Sequence, residues 1–292
     1  MLDAERLSLV GAIRPALASR VSSIDAARFA DCAVAALIDE VHLTPKPALV
    51  DARGSGAHRD LDLATMIRSA NALRPGFAAM AAAAAGRRPA QSLREELAAI
   101  GRDAEEGMLA ATGGSNAHRG AIWVLGLLIA GAAMAGRDRR ALAIARRAAA
   151  LVPYVDRFAP PSSSNGSRVR ERYGVPGARG EAAAGFPHVV RIGLPALRSA
   201  RARGCDERSA RLDTLMAIMS RLDDTCLLHR GGIAALEAAK SGAREVLARG
   251  GTASAAGHRA LLRLDADLLA RNASPGGSAD LLSAVLLLDR LT

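Results

Sequence analysis

Apolar residues recur at three- and four-residue steps through most of this chain, and nowhere do they alternate strictly with polar ones. That pattern suits helices and leaves little room for sheets, because a half-buried strand needs a period of two. From Ala27 to Val41, residues Phe29, Cys32, Ala33, Ala36, Leu37 and Val41 share one helical face, with Ser22 and Ser23 ahead of them as N-cap candidates. A second helix is expected from about Leu61 to Leu73, broken at Pro75-Gly76. Others are expected over 91–111, 119–135, 138–151, 181–203, 207–228, 231–249, 254–271 and 278–290. The expected fold is all-α, a single compact multi-helix domain with long functional loops covering residues 1–292.

Composition sharpens this picture. Half the residues are hydrophobic but only 2% are aromatic, which suits closely packed helices and leaves little for nucleobases to stack on. Gly126 and Gly131 interrupt the apolar run from Ala121 to Ala135. Each costs roughly 1 kcal/mol against alanine, so close helix contact is the reason expected for them. The run is too short to span a bilayer comfortably and reads as a buried helix. The one long irregular stretch, Pro153 to Gly180, would be a lid or a linker. Polar motifs on both sides of it could share one site, which favours one domain.

The charge balance is +10, with 39 basic residues of which only Lys46 and Lys240 are lysine. An anionic partner is favoured, either nucleic acid or a small polyphosphate. The arginines are scattered and few aromatics interleave, which weakens the reading as a basic nucleic-acid-binding helical module. Cys32, Cys205 and Cys226 have no paired spacing, so neither a disulfide framework nor a zinc knuckle is expected. The N-terminus lacks a signal-peptide layout, and a reducing, cytoplasmic setting is expected.

Chemistry concentrates in five segments. The stretch from Glu40 to Asp62 holds four carboxylates, His42 and His58, Lys46, two prolines and two glycines. Prolines fix backbone, so this loop could hold a rigid site for a phosphate-rich substrate and a metal ion; a solvated connection is the plainer alternative. Gly113-Gly-Ser-Asn116-Ala-His118-Arg119-Gly120 leads into the apolar helix, where backbone N–H groups and the helix dipole can attract an anion. It is no Walker A loop, since no Gly-Lys-Ser/Thr ends it. Gly174 to Pro187 is a second glycine-punctuated turn carrying Arg179 and Glu181; Glu181 could equally be a dipole partner in a first helical turn. Leu222 to Gly232 ends one helix and begins another, and its Asp223-Asp224 pair suits a cavity or metal better than a helix interior. His229 and Arg230 there could instead satisfy helix carbonyls. In Asn272 to Asp280, Ser278 reads as an N-cap with Asp280 in the first turn.

Taken in order, these segments resemble the triphosphoribosyl-dephospho-CoA synthase family. The resemblance rests on Leu43-Thr-Pro-Lys-Pro through Asp62, Asn116 through Ile122, Tyr173-Gly through Pro187, Asp224 through Gly232, and Ser274 through Asp280. The wording Asp223-Asp-Thr-Cys-Leu-Leu-His-Arg-Gly-Gly232 is most like the branch serving malonate decarboxylase rather than citrate lyase. There are departures: Ala48 where glycine is usual, Ala117 for threonine, Arg119 for lysine, and Cys226 where the citrate branch tends to have asparagine.

The resemblance implies an all-helical pentosyltransferase with ATP and 3′-dephospho-CoA as substrates. It releases adenine and joins the ribose C1′ to the 2′-hydroxyl of dephospho-CoA. An ADP-ribose-type N-glycoside hydrolase would share the logic, with water as acceptor. Breaking the N-glycosidic bond builds positive charge on the ribose, so carboxylates should face it. On this reading Glu181 is the first candidate base and Asp224 the second, with Glu40 and His118 also catalytic candidates. Lys46, Arg119, Arg179 and Arg230 would hold phosphates, Asn116 would contact substrate, and His58, His118 and His229 would be donors to substrate or the leaving-group acid. Asp51, Asp60 and Asp62 would hold Mg²⁺ or Mn²⁺ with the ATP. No membrane or nucleic-acid partner is expected, and a homodimer is compatible with the reading.

Overall fold

The computed structural model describes residues 25–159 and 164–292, and among these it is helical with no β-strand. The proposed caps Ser22 and Ser23 lie outside the described residues, as do residues 160–163 of the irregular stretch. Helix α1 covers 25–42. It is followed by α2 (Leu63–Ala72), α3 (Arg74–Ala84), α4 (Gln91–Ala111), α5 (Arg119–Ala135) and α6 (Ala141–Ala149). Then come α7 (Asn165–Tyr173), α8 (Gly177–Ala183), a π-helical turn (His188–Gly193), α9 (Leu194–Ala202) and α10 (Glu207–Met219). The chain closes with α11 (Thr225–Ala248), α12 (Ala255–Ala270) and α13 (Gly276–Leu291).

Two helices are apolar nearly all round, and both are buried, as such helices must be. Helix α5 packs on α3, α4, α6 and α13, and α13 also meets α10, α11 and the π-helical turn. The interior glycines of α5 make these contacts close. A Cβ on Gly131 would lie 2.4 Å from the Ile144 carbonyl oxygen on α6, and one on Gly126 would lie 2.5 Å from Met80 Sδ on α3. Ion pairs fix α1 to its neighbours: Arg74 with Asp31, and Arg211 and Arg290 with Asp39. One apolar cluster runs through all of these elements.

Several boundaries differ from those expected. Pro75 opens a helix instead of ending one, because proline at a first helical turn needs no N–H donor. The stretch 153–180 contains α7, capped by Ser164 Oγ, and the start of α8. The span 181–203 is three elements, not one. The chain also breaks before the Asp223-Asp224 pair, at Ser220, and α11 runs from Thr225 through a kink at Gly232, whose φ is +64°. Asp224 is therefore an N-cap rather than a mid-helix acid.

Candidate active site

The irregular segment 43–62 is held by side chains in place of regular structure. Asp51 accepts from the backbone N–H of Lys46 and of Arg53, both at 2.8 Å, and from the Arg53 guanidinium. Arg53 reaches on to Asp265 of α12 at 2.6 Å, and Asp265 also accepts from the Ala48 N–H at 2.8 Å. Ala48 has φ +54°, the left-handed region, which explains on steric grounds why glycine suits this position. Gly56, a tight neighbour of Ala48, has no room for a side chain.

This clamp sets Lys46 in the interior, against Glu40 near the end of α1. The Lys46 ammonium donates to the Glu40 carboxylate at 2.6 Å and to the Glu40 carbonyl at 2.7 Å, and both side chains are almost fully buried. Lys46 is thus spent on fixing Glu40.

Four helix starts converge beside this pair. Asp224 caps two of them at once: its carboxylate accepts from Cys226 N at 2.8 Å on α11, and from Ser278 N at 2.7 Å and Gly277 N at 3.3 Å on α13. Ser278 Oγ adds a fourth donor at 2.8 Å, so Ser278 is a partner of Asp224 rather than a cap of α13. Helix α5 arrives through Gly120, where a Cβ would lie 2.0 Å from Asp280 Oδ2. Helix α8 arrives through Gly177, whose Cβ would meet the Thr225 methyl at 3.5 Å, and through the Trp123 Nε1–H that donates to the Ala178 carbonyl at 3.3 Å. The result is a cluster of three carboxyl groups, Glu40, Asp224 and Asp280, with Lys46 of the 43–62 segment paired to Glu40.

Histidines border it. His58 Nδ1 lies 3.1 Å from the Arg230 guanidinium, which can only donate, so the ring proton sits on Nε2 and is given to Ser274 Oγ at 3.0 Å. Arg230 also donates to the Ala57 carbonyl at 2.8 Å. Burial, then the Arg230 charge, lower the His58 pKa to about 4. His118, the residue preceding α5, places Nδ1 2.7 Å from Ser69 Oγ, while its Nε2 is buried without a partner. Burial, then the Lys46 charge, lower its pKa to about 3. Burial also pushes the Asp224 carboxyl above its usual range against the hydrogen bonds that oppose it, and burial with Glu40 and Asp224 nearby pushes Asp280 well up.

The remaining expected residues fall on the segments around this cluster or away from it. Glu181 is buried with both oxygens engaged by His188, at 2.8 Å to its N–H and 2.7 Å to Nδ1. Arg119 pairs with Glu105 of α4, and Asn116 Oδ1 accepts the Arg119 N–H at 3.2 Å. Arg179 and His229 are exposed. Asp62 caps α2 by accepting from Thr65 N at 2.7 Å, Asp60 is exposed, and Asp51 is consumed by the clamp. Among the described residues no group of three or more His, Cys, Asp or Glu is arranged to hold a metal ion. No role is expected from the sequence for His188, Ser69 or Glu105, and Asp280 is expected only as a first-turn acid, its visible signals being its place in the Ser274–Asp280 motif and near the start of a mostly apolar helix.

Comparison with known proteins bears on this arrangement. The family model described as "CitG: ATP:dephospho-CoA triphosphoribosyl transferase" matches residues 26–292. A protein of Azotobacter vinelandii named probable 2-(5''-triphosphoribosyl)-3'-dephosphocoenzyme-A synthase is 57% identical over 268 residues, 91% of this chain and 92% of its own length. The Klebsiella pneumoniae 2-(5''-triphosphoribosyl)-3'-dephosphocoenzyme-A synthase is 57% identical over 263 residues, 90% of this chain and 94% of its own. No solved structure matches the chain.

Proposed function

The chain belongs to the ATP:dephospho-CoA triphosphoribosyl transferase family, and from that premise we propose that it transfers the 5′-triphosphoribosyl group of ATP to the 2′-hydroxyl of 3′-dephospho-CoA with release of adenine. One observation of the fold carries the reading. Five sequence segments, spread from residue 43 to residue 280, pack together around a cluster of carboxyl groups, with Arg119, Arg179 and Arg230 on the contributing segments. Such a cluster suits a developing ribose cation, and arginine suits phosphate oxygens.

Within this reading Glu40 is the best placed base. Glu181 and Asp224 have both oxygens occupied by donors, whereas Glu40 uses one oxygen for Lys46. As the acceptor hydroxyl bonds to C1′ its proton becomes strongly acidic, so a paired carboxylate is basic enough to take it. Glu181 then serves to hold His188, and Asp224 to lock α11 against α13. A magnesium or manganese ion would arrive with the triphosphate. Mg²⁺ commonly uses one or two carboxylates plus phosphates and waters, and Asp60 and Asp62, beside His58, fit that donor set better than Asp51. The ion would neutralise phosphate charge during transfer.

The product would be the prosthetic-group precursor of the malonate decarboxylase acyl carrier subunit, a choice supported by the Asp223–Gly232 wording. Deleting the gene should abolish holo-carrier formation for malonate decarboxylase; loss of the citrate lyase holo-carrier instead would reassign the branch. The reaction itself is tested by adenine release from ATP with and without dephospho-CoA. Release that depends on dephospho-CoA supports transfer, equal release without it identifies a hydrolase, and no release refutes both. Glu40→Gln should lower turnover by about 10²–10⁴-fold, with Glu181→Gln much milder.

A further inference from the structure

We propose that Asp280 is the acid that protonates the departing adenine, an assignment that rests on the transfer reaction above. Asp280 lies in the first turns of α13 and points its carboxyl at bare backbone: any side chain at position 120 would collide with it, since a Cβ there would lie 2.0 Å from Oδ2. Among the described residues neither of its oxygens has a hydrogen-bond partner, while Asp224 accepts four donors and Glu40 is paired with Lys46. Asp280 is partly buried, and a carboxyl there without a protein partner is open to a ligand. A second orphan stands close by in sequence. His118 Nε2, two residues before Gly120, is buried with no partner, and His118 is only 3% exposed. His118 stands just before α5, within reach of the Lys46 charge, and Asp280 lies on α13 against Gly120 of α5.

The chemistry follows from the neighbours. Glu40 from α1 and Asp224 from α11 crowd Asp280 with negative charge, with the Cys226 thiol of α11 nearby and His118 neutral on α5. Burial, then the neighbouring Glu40 and Asp224 charges, raise the Asp280 pKa well above the usual carboxylate range, which favours its protonated form. In the reaction the C1′–N9 bond breaks and its electron pair goes to the adenine ring. The Asp280 proton goes to a ring nitrogen, so adenine leaves neutral. The 2′-hydroxyl oxygen forms the new bond to C1′ and its proton passes to Glu40. Both acids then exchange with solvent, and one proton is moved overall from the hydroxyl to adenine.

The test compares two donors. ATP needs an acid to release its base; N7-methyl-ATP carries a base that is already cationic and needs none. Asp280→Asn should lose about 10²–10⁴-fold in kcat/KM with ATP and stay within about tenfold of wild type with N7-methyl-ATP. The ratio between donors is independent of how much of the variant is folded. Equal losses on both donors would overturn the assignment and make Asp280 a positioning group or a metal ligand. A second readout is the pH profile with ATP: the alkaline limb of wild-type kcat/KM should vanish in Asp280→Asn, and its persistence would overturn the assignment as well. Wild-type enzyme that releases no adenine in the presence of dephospho-CoA would instead refute the proposed reaction.

Discussion

Lys46→Met removes one buried charge and keeps an unbranched apolar stem, one heavy atom shorter, in the site. The Lys46 ammonium sits 2.6 Å from the Glu40 carboxylate, with side-chain exposures of 1% and 4%. At that separation and an effective dielectric near 20, the gross attraction is roughly 6 kcal/mol. Much of it offsets the cost of taking both charges out of water, so the net value of the pair is small. Removing one partner is different, because it leaves Glu40 charged, buried and unpaired, at a cost of about 3–5 kcal/mol. With about 2–4 °C of melting temperature per kcal/mol for a chain of this order of size, Tm should fall by roughly 6–20 °C. Urea or thermal denaturation followed by far-UV circular dichroism reads this directly. Glu40→Gln/Lys46→Met should recover part of the loss, since the double variant strands no charge, giving a coupling energy of about 1–3 kcal/mol. If Lys46→Met lies within 1 kcal/mol of wild type, or the double variant is as unstable as the two single losses added together, the pair does not fix Glu40 as argued.

Acid should destabilise the protein through its buried histidines. The folded pKa values are about 4 for His58 and about 3 for His118 against a usual 6.5, so the unfolded chain binds protons that the folded chain refuses. Stability should fall as pH drops from 6.5 toward 4 and, for His118, on toward 3; His118→Gln should flatten that slope in denaturant midpoints, and a wild-type midpoint unchanged from pH 7 to 4 would contradict it. Arg119→Ala should weaken nucleotide binding by about tenfold or more, the worth of a charge-assisted contact of roughly 1.5–3 kcal/mol; an unchanged nucleotide Kd by calorimetry would leave Arg119 as a strut to Glu105 alone. Asp60→Asn and Asp62→Asn should each cut Mg²⁺-dependent turnover with little loss of fold, since asparagine caps α2 as well as aspartate does; full wild-type activity in EDTA would remove the metal from the scheme.

The helical class was legible because period is a local property. The face of α1 needs only Phe29, Cys32, Ala33, Ala36, Leu37 and Val41 to be read, and the close contacts of Gly126 and Gly131 follow from glycine standing where alanine would be the better helix former. Boundaries were harder. Pro75 reads as a breaker, yet it lies in the first turn of α3, and nothing in the sequence says which side of a proline the next helix will occupy. Asp223-Asp224 looked misplaced only because the helix was drawn through it; once the chain breaks at Ser220, Asp224 is a cap of the ordinary kind.

The site was legible as a set of segments and not as a set of roles. Motif order brought Lys46, Glu181 and Asp224 forward because they are polar and stand near glycine or proline. What each does depends on its partner, and the partners are distant in sequence: Asp224 is saturated by Ser278, 54 positions on, and Ala48 is held by Asp265, 217 positions on. Glu181 spends both oxygens on His188, seven residues away but across a turn that no pattern announces. The group left without a partner, Asp280, looks in the sequence like a routine first-turn acid. Saturation separates the candidates better than residue type does. A carboxylate with four donors is held in place for the fold, whereas one facing a glycine and two other carboxylates, its pKa raised by burial and by their charge, is suited to the proton that a leaving base requires.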